Sequence, residues 1–479
     1  EAHAHNHLKY LLQGDQEIWP HNLTLSRLIA RSLRRRDKTL IQLPIGSQEC
    51  WWPGLLIPLC LKDAPVVLVL SSKNRHRLFQ RELPRLKTKG FSFSIWEGPY
   101  PPPENQVWLL EHQEFITAFK NGYLHSQQLI IPEAELLSGQ LRDSMALEIT
   151  HSDWEQLRRA HPVVDSALLE IYQRLTRRLF TYSTCEDAQV VIDTETVTSL
   201  RDLLGLLDSY PPIWIDFLNA INNNWASWGQ LNHKMLDWHW HLQPLEPFAC
   251  VRSLFIKCPV LMLTGSWQND LLLSNLKAID FDFTVSVQLG GRINQEPIPI
   301  FIPFRQPMPN TEFFADHLLD QSRRLILGLE GVTIIILNDD QLRQKLTSQL
   351  AAEFGRRVVH ETTAPASNGV ICCSCSWWLN YHQHLPAPEQ LIFAILPFSS
   401  LESPLIAARV NAWKKQGRDW FRDLLLPEVL SVIPYVVEPV RRNQGRIAIL
   451  DGRLRSRSWG KMVLRTFEPW TPLDRLLPN

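Results

Sequence analysis

The segment 39–61 constrains the fold of this chain most. Its first five residues form an apolar run of the kind that becomes a buried strand. Residues 44–50 then read as a tight turn that contains Gly46, and a long apolar segment predicts a helix after it. Strand, glycine-containing turn and helix are typical of a loop that binds phosphate through backbone N–H groups and the helix amino terminus. The sequence therefore predicts a nucleotide-binding loop here.

The predicted loop lacks the side chains that a triphosphate needs. A loop that supports hydrolysis ends with a lysine on the phosphates and a Ser or Thr that binds Mg²⁺. Glu49 and Cys50 stand at or next to these places, and the nearest lysines are Lys38 and Lys62. An anion in place of a cation about 4 Å from a phosphate makes the interaction unfavourable by several kcal/mol. The candidate nucleotide-binding residues are Pro44, Gly46, Ser47, Gln48, Glu49 and Cys50.

Length and composition predict a multidomain globular protein. The 479 residues exceed one ordinary core, so we expect two or three domains. The formal net charge is zero, so nucleic-acid contacts must come from local basic stretches. We find no signal peptide and no apolar run long enough to span a bilayer, which predicts no membrane contact. The eight scattered cysteines predict reduced thiols and a cytoplasmic location.

Two clusters contain residue types that bind metals: Cys372, Cys373 and Cys375 with His382 and His384, and His3, His5 and His7. A zinc site usually shows two separated ligand pairs, whereas the first cluster ends an apolar run typical of a strand. The second cluster is explained more simply as a solvated helix start. We therefore predict no metal site.

Buried-strand patterns recur along residues 1–152 and return within 247–294, with helical patterns between them. This alternation predicts a doubly wound α/β domain with a parallel sheet. Glu133 directly follows the apolar run 129–131. A carboxylate at the carboxyl end of a parallel strand, facing a phosphate loop, is where nucleotide motors hold Mg²⁺ and the attacking water. Glu133 is therefore a catalytic candidate.

Residues 153–246 interrupt this strand pattern. Their apolar residues recur at helical spacing, which predicts a helical insert. It is rich in tryptophan, and the whole chain contains 18. Core packing is the plain explanation for each tryptophan. The alternatives are base stacking and a Trp-rich partner surface. Residues 295–479 again show strand and helix alternation, which predicts a second α/β domain.

Five motifs in the carboxyl-terminal third occur in a distinctive order, at residues 396–409, 419–421, 426–428, 445–453 and 458–461. With the nucleotide-loop plan and Glu133, they resemble the DinG/XPD-type superfamily 2 DNA helicases over nearly the whole chain. The opening 19–33 and the short segment 72–99 resemble a cyanobacterial-type branch. The resemblance implies two RecA-like P-loop domains, an ATP-dependent DNA helicase that uses ATP and Mg²⁺, a role in DNA repair and single-stranded DNA as partner.

The first domain departs from the family's functional residues. Pro132 stands at the family's magnesium Asp and Glu135 at its His, on either side of the matching Glu133 and Ala134. Residues 264–266 stand where a Thr-Ser-Ala coupling motif is expected. The four-cysteine insert is absent, so we expect no iron–sulfur cluster.

The second domain departs in the same way. Leu379 and His382 replace an acidic pair after a matching Ser-Trp-Trp motif, and Pro434 and Glu438 replace the family's Gln and Arg. Arg441 falls on an arginine-finger position and is the second catalytic candidate. Loss of several groups that act as a unit should abolish hydrolysis rather than halve it.

Two hypotheses stay open. One is a DinG/XPD-like helicase family member that binds single-stranded nucleic acid in an interdomain groove, with residues that argue against ATP hydrolysis. The alternative is an inactive pseudo-helicase that acts as a nucleic-acid- or protein-binding scaffold. Solvated surface charge is the plain explanation for each basic candidate. The candidate nucleic-acid contacts are Lys73, Arg75, Trp377, Arg442 and Arg453.

Overall fold

Two seven-stranded parallel β-sheets, each flanked by helices, form the framework of the chain. The computed structural model describes residues 2–13, 19–44, 50–62, 64–103, 106–182, 189–223, 225–232, 234–265, 270–290 and 296–473. The strands within these residues are β1 (Thr39–Gln42), β2 (Val66–Leu70), β3 (Ile95–Trp96), β4 (Val107–Glu111), β5 (Gln128–Ile131), β6 (Leu147–Ile149), β7 (Gln189–Val191), β8 (Ala226–Asn232), β9 (Asp237–Gln243), β10 (Val260–Thr264), β11 (Val285–Gln288), β12 (Ile298–Phe301), β13 (Thr333–Ile336), β14 (Val358–His360), β15 (Val370–Cys373), β16 (Gln390–Phe393), β17 (Arg446–Ile449) and β18 (Trp470–Pro472).

Helices connect these strands and cover both sheets. The α-helices are α1 (Ala2–Leu11), α2 (Asn22–Arg35), α3 (Trp52–Cys60), α4 (Ser72–Arg77), α5 (Leu83–Thr88), α6 (His112–Lys120), α7 (Leu137–Ser144), α8 (His151–Ala160), α9 (Asp165–Tyr182), α10 (Thr194–Leu204), α11 (Pro212–Asn222), α12 (Pro247–Cys250), α13 (Arg252–Lys257), α14 (Asp270–Lys277), α15 (Phe314–Ile326), α16 (Asp340–Phe354), α17 (Cys375–Tyr381), α18 (Pro404–Lys415), α19 (Leu426–Arg442), α20 (Arg453–Ser456) and α21 (Gly460–Thr466). Short 3-10 turns and two π-helical segments, Leu78–Glu82 and Phe421–Leu425, complete the described helical structure.

The first sheet has the order β11-β1-β10-β5-β2-β4-β3 with parallel pairing throughout. Strand β2, which lies between β5 and β4, is buried along its whole length, which explains the continuous apolar run in the sequence. Strand β10 lies between β1 and β5. The carboxyl ends of β1, β10 and β5 therefore meet at one edge, where ligands bind in open parallel sheets.

The second sheet has the order β14-β15-β13-β16-β17-β12-β18 and is also parallel. Strands β13, β15 and β16 are fully buried, in agreement with their apolar sequences. The two sheets confirm the predicted α/β fold class. Strands β3, β11, β12, β14 and β18 escaped prediction, since strands of two to four residues carry little periodic signal.

The segment predicted as a helical insert contains helices α8 to α11 and, in addition, a four-stranded antiparallel sheet of order β6-β9-β8-β7. The sheet was missed although its signal is present. In β9 the buried residues Trp238, Trp240 and Leu242 alternate with more accessible ones. Alternation with a period of two is the pattern of a half-buried strand.

The tryptophans of the insert form its core rather than a partner surface. Trp214, Trp228, Trp238 and Trp240 are all buried, and Trp225 is partly buried. Trp240 packs edge to face with Phe217 and stacks on Trp154. The hypothesis of an exposed Trp-rich interface is wrong for these residues, because their side chains are buried or partly buried. Burial of these large aromatic surfaces stabilises the insert.

Among the described residues, no helix combines the length and the apolar character needed to cross a membrane.

Candidate interdomain cleft

A cavity of about 570 Å³ lies between the two parallel-sheet domains. Helix α4 and the π-helical segment after it form the wall in the first domain, and Glu133 lies at the end of β5. The segment 382–388 and helix α19 form the facing wall. Helix α4 begins directly after β2 and carries basic side chains of this first wall. Its first turn is capped by Ser71, whose hydroxyl accepts the Asn74 backbone N–H at 3.4 Å.

Glu133 is held by the cap of this helix. Its Oε2 accepts the Asn74 side-chain amide at 2.7 Å and the Ser71 hydroxyl at 3.5 Å. Its backbone is left-handed, with φ of 56°. That conformation costs a side-chain-bearing residue about 1 kcal/mol. Backbone strain of this kind is concentrated at functional positions, which favours a functional role for Glu133.

Glu135 joins the two domains. Its Oε1 accepts the Gly265 backbone N–H at 2.9 Å, at the carboxyl end of β10. The same oxygen accepts the hydroxyl of Tyr435, which lies on α19 of the second domain. Its Oε2 is buried and has no hydrogen-bond partner among the described residues. Glu135 therefore bridges the cleft.

Burial raises the pKa of the Glu135 carboxyl to about 7, because the charged form loses its water. The neighbouring Glu133 carboxylate raises the pKa further, whereas hydrogen bonds from Gly265 and Thr264 lower it. Near neutral pH this group therefore titrates, unlike an ordinary glutamate.

The absence of a side chain at Gly265 leaves room for this contact. A Cβ atom at this position would lie 3.2 Å from Glu135 Oε1 and 3.3 Å from the Tyr435 hydroxyl. A larger residue here would require these two groups to shift by a few tenths of an ångström.

Most of the predicted nucleotide loop lies outside the described residues, including Gly46, Ser47, Gln48 and Glu49. Of the remaining candidates, Pro44 follows β1, and Cys50 precedes α3. Leu43 donates its backbone N–H to the Thr264 carbonyl at 2.7 Å, which places the start of the loop beside β10. Neither Pro44 nor Cys50 supplies a cation to a phosphate.

Two of the five nucleic-acid candidates line the cavity, namely Lys73 and Arg442. Arg442 Nε donates to Glu438 Oε1 at 2.8 Å, so part of its charge is neutralised. Arg75 lies on the same helix as Lys73 but pairs with Glu97 at 2.6 Å and Glu111 at 3.1 Å. This pairing holds Arg75 away from a phosphate.

Trp377, Arg453 and Arg441 do not line the cavity. Trp377 packs partly buried against the core of the second domain. The Arg453 guanidinium pairs with the fully buried Asp451 at 2.7 Å. Arg441 donates to backbone carbonyls, among them that of Pro469 at 3.1 Å. Its arginine-finger role stays a prediction that this arrangement does not favour.

Sequence reasoning missed Arg81, His76 and Tyr435, which line the cavity. Lys73, Arg77 and Arg81 recur at intervals of four, which places them on one side of a helix. That spacing could have identified Arg81. Tyr435 has no comparable signal, since its role depends on a residue 300 positions away.

The cysteine cluster considered for metal binding is buried in core clusters. Burial raises the pKa of Cys372 to about 11 and that of Cys375 to about 12, which disfavours the thiolates a metal requires. His382 and His384 instead line the cleft.

Comparisons with known proteins agree with this architecture. The ATP-dependent DNA helicase YoaA of Haemophilus influenzae is 26% identical over 127 residues, which cover 26% of this chain and 20% of that protein. YoaA of Escherichia coli is 23% identical over 176 residues, or 34% of this chain and 28% of that protein. The matches thus span less than a third of either relative. No family model matches the chain.

Solved structures show the same fold. An XPD helicase structure has a TM-score of 0.63 at 10% identity and covers 96% of this chain and 100% of its own. Xpd4 of S. tokodaii has a TM-score of 0.59 at 11% identity, and the match covers 93% of this chain and 98% of Xpd4.

The chain therefore has the fold of these XPD helicase structures, with two parallel-sheet domains on either side of a cleft. The low-identity matches to the YoaA helicases agree with the resemblance to the DinG/XPD-type helicases that the motif order predicted. The chain's placement in a cyanobacterial-type branch stays a prediction.

Proposed function

We propose that this chain binds single-stranded nucleic acid in the interdomain cleft and does not hydrolyse ATP efficiently. The observation that carries the proposal is the pair of basic side chains Lys73 and Arg81, which line the cavity. Arg77 also lines it but pairs with Glu82 at 2.9 Å. A basic groove that follows a phosphate backbone is the common feature of proteins that bind single strands without sequence preference. A DNA-repair role and a cytoplasmic location belong to the same proposal.

The described residues do not fit a magnesium–triphosphate complex. Pro132 cannot ligate the metal, and the Glu133 carboxylate is engaged by Asn74. Glu135 binds Tyr435 across the cleft instead of facing a nucleotide. Phosphoryl transfer depends on a metal clamp and positioned cations, so we derive no hydrolytic step for this chain.

The direct test is ATP hydrolysis by the purified chain, with and without single-stranded DNA and Mg²⁺. We expect no DNA-stimulated turnover above that of the matched variant Glu133→Gln, because the remaining groups cannot act as a unit. DNA-stimulated turnover that Glu133→Gln abolishes would show that substitute residues support catalysis, and would contradict this part of the proposal.

Strand binding is tested by the salt dependence of affinity for an oligodeoxythymidine. We expect log Kd to change steeply with log salt, and the double change Lys73→Ala and Arg81→Ala to reduce the slope by about 1.4, or about 0.7 per lost phosphate contact. The matched control is Arg75→Ala on the same helix, whose guanidinium already pairs with Glu97 and Glu111. Its slope should equal that of the unmodified chain.

Absence of salt-sensitive binding would overturn the proposal and favour the protein-scaffold alternative. Equal losses in Arg75→Ala and the double variant would place the strand elsewhere on the first domain.

A further inference from the structure

Three potential metal ligands come together on the sheet of the insert, outside the cleft. They are Glu148 on β6 and His239 and His241 on β9. One ligand atom from each lies within 4.8 Å of the others. A single ion can therefore contact all three after only small side-chain movements.

The backbone fixes this grouping. Strands β6 and β9 are antiparallel neighbours, and Glu148 lies directly opposite His241. His239 is two residues from His241 on the same strand, so both imidazoles project from the same face. That face is opposite to the one on which Trp238 and Trp240 enter the core. Rigid strands carry the ligands, which keeps the cost of assembling the site small.

Neighbouring groups orient both imidazoles. His239 contacts Glu148 through Nδ1, and its Nε2 lies 3.3 Å from Asp237 Oδ2. A carboxylate on the far nitrogen is the usual partner of a metal-binding histidine, because it fixes the tautomer that leaves the near nitrogen unprotonated. His241 stacks on Trp228 with 5.7 Å between ring centroids and 16° between planes.

We propose that Glu148, His239 and His241 bind a divalent transition-metal ion, with Zn²⁺ as the expected ion. Two imidazole nitrogens and one carboxylate oxygen are a ligand set that Zn²⁺ accepts, with a fourth position left for water. The side chains are 51%, 39% and 25% exposed, respectively, so an ion can enter from solvent. The ion would tie edge strand β6 to β9 and add to the stability of the insert.

This site goes beyond the sequence prediction that the chain has no metal site. Glu148 and the histidines are about ninety positions apart, and only the pairing of β6 with β9 brings them together.

The test is titration of the full-length, EDTA-treated chain with Zn²⁺ by calorimetry and with Co²⁺ by visible absorption. We expect one site per chain, and a loss of affinity greater than about 100-fold in Glu148→Gln and in His241→Gln. Asp237→Asn keeps all three ligands and should weaken binding about 10- to 100-fold.

The matched control is the double variant His3→Gln and His7→Gln, which removes two histidines one turn apart on α1. One tight site that this control keeps and Glu148→Gln loses would support the proposal. No tight site, or one lost only in the α1 variant, would overturn it. Glu148→Gln keeps the size of a half-exposed edge residue, so circular dichroism should confirm that the variant folds.

Discussion

Raising the pH from about 5 to about 8 is expected to lower the free energy of unfolding by about 3 kcal/mol through the single group Glu135. Its folded pKa is about 7, against an ordinary value of 4.5. Between these values the folded chain keeps a proton that the unfolded chain has lost. The stabilisation is therefore complete below the ordinary pKa and is lost as the pH rises through the folded pKa.

The consequence concerns the cleft, because Glu135 contacts Gly265 of the first domain and Tyr435 of the second. As the carboxyl ionises, a buried charge forms at the junction, and hydration of that charge favours separation of the domains. We therefore expect the closed cleft to be favoured in mild acid and the open cleft in mild base.

The measurement is urea unfolding at several pH values for the unmodified chain and for Glu135→Gln, which cannot ionise. Between the two pKa values, the free energy of unfolding of Glu135→Gln should fall less steeply with pH than that of the unmodified chain. The difference should correspond to one titrating group. Glu402→Gln is the matched control, since it removes an exposed carboxylate that does not line the cleft. A slope in Glu135→Gln equal to that of the unmodified chain would contradict the prediction.

Truncation of the insert core should have an effect at least as large. Trp240→Ala is expected to destabilise the insert by about 3–5 kcal/mol, which is the usual loss for a fully buried aromatic residue. Trp240 is 0% exposed and donates its indole N–H to the Ser227 hydroxyl at 2.7 Å. Its removal would leave a cavity beside Phe217 and Trp154.

Thermal unfolding and limited proteolysis would measure this effect. Proteolysis of Trp240→Ala should begin within 153–246, while the two parallel-sheet domains stay resistant. Trp377→Ala is the matched control, because this tryptophan is only partly buried on the surface of the second domain. Trp377→Ala should lower the free energy of unfolding by about 1 kcal/mol. Equal sensitivity of the two variants would mean that the insert tryptophans do not form a separate core.

The sequence specified the parallel-sheet framework well, because fully buried strands need continuous apolar runs such as 66–70 and 333–336. It also placed Glu133 and Lys73 at the cleft, since residues that follow parallel strands meet at one edge of a sheet. The antiparallel sheet of the insert was predicted only as helix, although β9 alternates with a period of two.

The partners of charged side chains could not be read from the sequence. Arg75, Arg453 and Lys73 have equal charge in the sequence, yet Arg75 and Arg453 pair with carboxylates away from the cavity, while Lys73 lines it. The contact between Glu135 and Tyr435 spans 300 positions. Local periodicity reports which face of an element is buried; it carries no information on which distant element covers that face. The sequence by itself thus determined the two α/β domains, and the tertiary structure alone decided which charges meet in the cleft.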